Sequence, residues 1–196
     1  LAKFGDAHKV LLAGQDPPYI KQMVHSFLDQ AQFVYAGRDD AAVVDGVEQH
    51  AYRTEATEKL RVMMGLLNDI GGQGASETAV VFVNSSLTAD WLAYKLTNNG
   101  IKAKSVTGSI SPRERTDLQQ EMDSKTLRAL VLTELGSRKI TLTKCKHLIN
   151  FDLPEKVGAY VARIGQFAAA GETNVISLVC EDYGHMLAEI NTYLGK

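Results

Sequence analysis

Three short stretches of this chain carry side chains whose types and spacing suit phosphate chemistry. Val81-Phe82-Val83-Asn84-Ser85-Ser86 is an apolar run ending in small polar residues. Asn84 and Ser85, at a strand end feeding a helix N-terminus, would offer N–H groups and hydroxyls to an anion. The same pattern fits a plain strand followed by a serine N-cap. Ser111-Pro112-Arg113-Glu114-Arg115 reads as a helix start, and Arg115 on its first turns would hold a phosphate or a neighbouring loop. A solvated Arg113/Arg115 pair is the alternative. The third stretch is Arg163-Ile164-Gly165-Gln166-Phe167-Ala168-Ala169-Ala170-Gly171. It sets one arginine ahead of a run that reads as an apolar packing surface, open to a protein partner.

Other chemistries find less support. No GxxxxGK[ST] phosphate loop occurs in the 196 residues, so this chain alone is not expected to hydrolyse ATP. Cys145 and Cys180 sit in apolar stretches without CxxC or CxxH spacing, which predicts buried thiols rather than a zinc site. The five histidines are scattered. No apolar run approaches the ~20 residues of a membrane span. The formal charge of −2 and pI of about 6.2 place any nucleic-acid site in a local patch. The expectation is an intracellular protein that is mitochondrial, nucleolar or cytoplasmic, and one not bound to membrane.

The elements that must position these groups alternate between strand and helix. Residues 10–14 predict a short strand, 17–30 a helix opened by Pro17 and Pro18, and 33–36 another strand. Residues 37–46 are polar and Gly/Asp-rich, and read as a linker. Strands are then predicted at 47–52, 79–83, 102–106, 129–132, 147–150 and 175–179. Helices are predicted at 57–70, 86–98, 111–124, 155–164 and 183–194. Leu87, Trp91, Leu92 and Leu96 are the apolar residues of the second of these. Strands alternating with 10–15-residue helices argue a parallel sheet covered on both faces. Ligands of such sheets sit at the carboxyl ends of the strands.

Read in order, the motifs resemble the C-terminal RecA-like domain of the DEAD-box ATP-dependent RNA helicases. Asn150-Phe151-Asp152-Leu153-Pro154-Glu155 is similar to the family's NYDLPE. Residues 160–171 resemble its YxHRIGRTGRAG, with Ala162 at the histidine. Val81–Ser86 resembles IFxxT, Val106-Thr107-Gly108 the L-H-G turn, and Arg115 the arginine of QxxR. Leu132-Thr133-Glu134-Leu135-Gly136-Ser137-Arg138-Lys139-Ile140-Thr141 resembles ATDVAARGLD. The likeness covers residues 47–194 as the whole second RecA-like domain and residues 1–36 as the tail of the first. Ala13-Gly14-Gln15 stands where the family has Ser-Ala-Thr, the motif that couples hydrolysis to unwinding.

The resemblance implies a P-loop NTPase-type α/β fold, RNA contact by Asn84, Ser85, Gly108, Arg115 and Thr133, and a nucleotide near Arg138, Lys139, Thr141 and Arg163. It also implies impaired catalysis. The two arginines that reach the γ-phosphate in the family fall at Gln166 and Ala169, and neither is a cation. Thr141 replaces the aspartate that contacts the ribose, and Lys139 replaces a glycine that matters if φ there is positive. Lys139 would instead bring charge to RNA or a partner. Arg163 matches an arginine that bridges within the domain. ATP and magnesium are expected only with an intact first domain upstream, carrying the Walker A and DEAD motifs. The implied partners are RNA and a ribonucleoprotein or protein, in a setting such as ribosome assembly. The competing readings are an active helicase with its missing charge supplied elsewhere, and a pure protein scaffold.

Overall fold

The computed structural model describes residues 47–71, 77–142, 145–167 and 173–193. All lie in the second of the two units into which the chain divides, which begins at Asp40. The strands and helix predicted within residues 1–36, the linker at 37–46 and the Ala13-Gly14-Gln15 tripeptide lie outside the described residues.

Six strands form one parallel sheet: β1 (Val47–Arg53), β2 (Ala79–Phe82), β3 (Ala103–Val106), β4 (Ala129–Leu132), β5 (His147–Asn150) and β6 (Thr173–Val179). Their spatial order is β1-β6-β5-β2-β4-β3, and every neighbouring pair runs parallel. The helices are α1 (Lys59–Gly71), α2 (Ser86–Asn98), α3 (Pro112–Asp123), α4 (Glu134–Ser137), α5 (Val157–Gly165) and α6 (Gly184–Tyr193). The RecA-like α/β fold expected from the sequence is the one observed.

Strand alternation explains the two-layer core. Val80, Phe82, Leu130, Leu132 and Leu148 pack on one face with Leu118 and Met122 of α3, Ile164 of α5 and Ile190 of α6. Ala79, Val81, Ala129, Val131 and Ile149 pack on the other with Met63 and Leu67 of α1 and Leu92 and Leu96 of α2. A strand buried on both faces has no reason to alternate apolar with polar residues, so the continuous run at 79–83 is what this position demands.

Helix ends follow local chemistry. Ser85 caps α2, its hydroxyl accepting from the Thr88 N–H at 3.0 Å. Ser111 and Glu114 form a reciprocal capping box at α3, with Pro112 in its first turn. The backbone and hydroxyl contacts with Ser111 hold the Glu114 carboxyl below its usual range. Ser111→Ala removes one half of the box and is expected to cost about 1 kcal/mol, read as a lower midpoint in urea unfolding with an unchanged slope. Gly100, at φ +82°, turns the chain out of α2.

Some boundaries differ from the expectation. The first helix begins as a 3₁₀ turn at Ala56–Glu58, and the last follows one at Glu181–Tyr183. The helix expected from Glu155 begins at Val157. Helix α4, only one turn long, was not anticipated. The apolar residues of α2 divide: Leu87 and Trp91 are exposed, with Tyr94, while Ala89, Leu92, Ala93 and Leu96 are buried against the sheet. The sheet claims a narrow stripe of this helix, and two alanines let it approach closely. Both cysteines are buried and unpaired as expected, and burial pushes the Cys145 thiol up to about 11.

Candidate functional site at the carboxyl ends of the strands

The chain leaves β2 towards β3 on one side of the sheet and leaves β5 towards β6 on the other. The carboxyl ends of β2 and β5 are adjacent, so a crevice opens between their loops. Each neighbouring strand end there supplies a polar residue after an apolar run: Asn84 after β2, Glu134 after β4 and Asn150 at the end of β5.

Arg163, on α5, gathers all three. Its Nε donates to Glu134 Oε1 at 2.5 Å, and its Nη1 to Asn150 Oδ1 at 2.9 Å and to the Asp152 carbonyl at 2.8 Å. Nη2 donates to Asn84 Oδ1 at 3.2 Å, and the guanidinium lies 4.8 Å from the centre of the Phe82 ring. Four of the five N–H groups are thus engaged. The side chain is fully buried. Burial pushes its pKa down from the ordinary arginine value, opposed by the hydrogen bond to, and charge of, Glu134.

A second buried pair braces the first. Lys59 Nζ, at the start of α1, donates to Asp152 Oδ1 at 2.6 Å and sits 4.4 Å over the Phe151 ring. The other oxygen of Asp152 accepts the Asn84 N–H at 3.2 Å, and Asn84 Nδ2 donates to the Leu153 carbonyl at 2.8 Å. Asn150 Nδ2 reaches Ser177 on β6 at 3.1 Å. Four strand ends and two helices are stitched together by groups that satisfy one another, which is what makes such burial tolerable.

The residues singled out in the sequence therefore fall into three groups. Asn84 and Thr133 are engaged internally. The Thr133 hydroxyl donates to the Thr107 carbonyl at 2.9 Å and accepts from the Gly136 N–H at 3.2 Å, capping α4. Ser85, Arg115, Arg138, Lys139 and Thr141 are exposed, and Gly108 is half-buried. Arg115, Arg138 and Lys139 meet no carboxylate among the described residues. Third is Arg163, which is inside. Lys139 does not adopt positive φ, so its replacement of a glycine creates no backbone strain. Gln166 Nε2 lies 3.4 Å from Ser137 Oγ beside α4, and Ala169 lies outside the described residues. Sequence reasoning missed Lys59 and gave no role to Glu134 or Asn150. The available signal was a polar residue closing each apolar strand.

Comparison with known proteins decides the family. The model of the helicase conserved C-terminal domain matches residues 58–171. The chain belongs to the DEAD-box RNA helicase family. It is 31% identical over 153 residues to the ATP-dependent RNA helicase RhlB of Pseudomonas syringae, covering 78% of this chain and 38% of that protein. It is 26% identical over 159 residues to the DEAD-box ATP-dependent RNA helicase CshB of Listeria monocytogenes, covering 81% and 35%. The chain thus spans little more than a third of the length of these relatives. The fold is similar to E. coli DEAD-box protein SrmB bound to the regulator of ribonuclease activity A, with a TM-score of 0.65 at 26% identity over 75% of this chain and 85% of that one. It is also similar to S. cerevisiae Dbp5 bound to RNA and ADP BeF3, with a TM-score of 0.75 at 20% identity over 93% and 48%.

Proposed function

We propose that this DEAD-box domain binds RNA but contributes little to ATP hydrolysis, and that it works in ribonucleoprotein assembly such as that of the ribosome. One observation carries the reading. Arg163, the single arginine of the 163–171 segment, is buried among Glu134, Asn150, Asp152 and Asn84, while Gln166 presents only an amide. Phosphoryl transfer needs positive charge at the developing γ-phosphate, and an arginine there is worth roughly 10³–10⁵ in rate. A sealed guanidinium cannot move to a phosphate without breaking four hydrogen bonds.

The donor set agrees. Glu134 and Asp152 are neutralised by Arg163 and Lys59, and no cluster of three metal-ligating side chains exists among the described residues. In this reading magnesium is held by a nucleotide and an intact first domain. ATP, when bound, supplies the phosphoryl group. The chain's own contribution would be the exposed cations Arg138 and Lys139 beside it. For RNA, the exposed Ser85 and Arg115 and the half-buried Gly108 would meet the backbone, and Thr133 and Asn84 would set the loops that present them. RNA accompanies Dbp5 in the solved complex, which supports the choice of partner.

The test is ATP turnover by the full-length protein, with and without RNA. No RNA stimulation is expected, alongside RNA binding that survives. Gln166→Arg with Ala169→Arg is expected to leave RNA affinity within about twofold. RNA-stimulated turnover would sink the proposal and favour the second reading, an active helicase. The exposed Arg138 and Lys139, which meet no carboxylate among the described residues, favour that reading specifically, and there Arg138→Ala with Lys139→Ala should abolish the stimulation.

A further inference from the structure

The sheet ends at β3 on an edge that no strand among the described residues covers. Lys102 O accepts from the Arg128 and Ala129 N–H groups, and Val106 O from the Thr133 N–H, so the even residues of this strand face β4. The parallel ladder then turns the N–H and C=O of Ala103 and Ser105 outward. The Thr97 hydroxyl bonds both groups of Ala103 at 3.3 Å. At Ser105 the side chain is engaged with Asp90 at 2.6 Å, which leaves the main chain as the open pair.

A groove of about 570 Å³ runs along this edge between α2 on one face of the sheet and α3 on the other. Ala93, Val106, Ile110 and Leu118 give it an apolar floor, and Tyr94 forms a wall. Tyr94 is 63% exposed and continues into Trp91 and Leu87 at helical spacing on the outward face of α2. The rim is acidic. Asp90, Glu114 and Asp117 line it, against one lining cation, Lys104, which is already paired with Glu121 at 2.9 Å; Asp117 also lies 4.0 Å from the exposed Arg113.

We propose that this groove docks an extended, basic segment of a protein partner, which adds to β3 as a further strand. Ser105 would supply the main-chain hydrogen bonds. Alternate apolar side chains would enter the groove on the α2 face beside Ala93 and Tyr94, and the lysines or arginines between them, on the opposite face, would meet Asp117 of α3. Charge complementarity selects this occupant: a nucleic-acid backbone would bring phosphates against three carboxylates. The proposal does not depend on whether the protein hydrolyses ATP.

The experiment uses the whole 196-residue chain, ¹⁵N-labelled, titrated with a hexapeptide alternating valine with lysine. Amide shifts are expected at Ser105, Tyr94 and Leu118. The glutamate counterpart should cause none. A peptide with the same side chains but N-methylated along one edge should bind at least about tenfold more weakly. Asp117→Lys, on an exposed helix face, should weaken the parent peptide about five- to tenfold and flatten its salt dependence, with the circular dichroism unchanged. The proposal is overturned if the lysine peptide leaves these amides unmoved at millimolar concentration, or if the glutamate peptide binds equally well. It is also overturned if an RNA oligonucleotide moves the same amides, or if they shift with protein concentration alone, which would indicate a second copy.

Discussion

Arg163→Met is expected to destabilise the domain by about 3–5 kcal/mol, the cost of stranding a buried charge network by removing one partner. For a chain of this size that corresponds to a fall of roughly 10 °C in the thermal midpoint. Asn84, Asn150 and the Asp152 carbonyl would each lose a donor, the last two at buried positions. Arg163→Lys should recover little, because a single ammonium cannot fork to four acceptors. Glu134→Gln is the informative contrast. Its side chain is 37% exposed while that of Arg163 is 1% exposed, so solvent screens much of the pair and the loss should stay near about 1 kcal/mol. Differential scanning calorimetry of the three variants checks the order. An Arg163→Met protein as stable as the parent would remove the structural role argued for this residue.

Gly136→Ala carries the second large effect. A methyl at this position would lie 1.9 Å from the Val106 carbonyl oxygen and 2.6 Å from its carbon. Both are backbone atoms of β3, so no side-chain rotation relieves the clash. Either α4 or the end of β3 must move, and Thr133 would lose its hold on the Thr107 carbonyl and the Gly136 N–H. The expected cost is about 3 kcal/mol, the upper range for overpacking a tight site. Amide exchange should accelerate at residues 105–108 and 133–137 before the rest of the sheet. Gly108→Ala is the control: a Cβ there meets nothing within 4 Å, so stability should hold within about 0.5 kcal/mol. A neutral Gly136→Ala with normal exchange would contradict the close approach of α4 to β3.

The local elements were legible in the sequence because their causes are local. Strands β4 and β5 and helix α2 fall where the apolar runs and the Ser85 cap place them, since periodicity and capping act over a few residues. The motif order, from Asn84 to the 163–171 segment, carries the likeness to the helicase family by itself. The same reading placed a glutamine and an alanine where the family has cations. Ordering of the strands was not legible. The sheet runs β1-β6-β5-β2-β4-β3, and only that crossing pattern brings Arg163 to partners 13, 29 and 79 residues away. Tertiary structure likewise decided that Leu87 and Trp91 face outward, and that Gly136 is fixed by β3 while Lys139 sits in ordinary backbone. Each depends on what lies across the fold from the residue, which its neighbours in sequence do not encode. By itself the sequence determined that Gln166 and Ala169 stand where the family has arginines, and the fold decided which groups Arg163 meets, because they come from strand ends far apart in the chain.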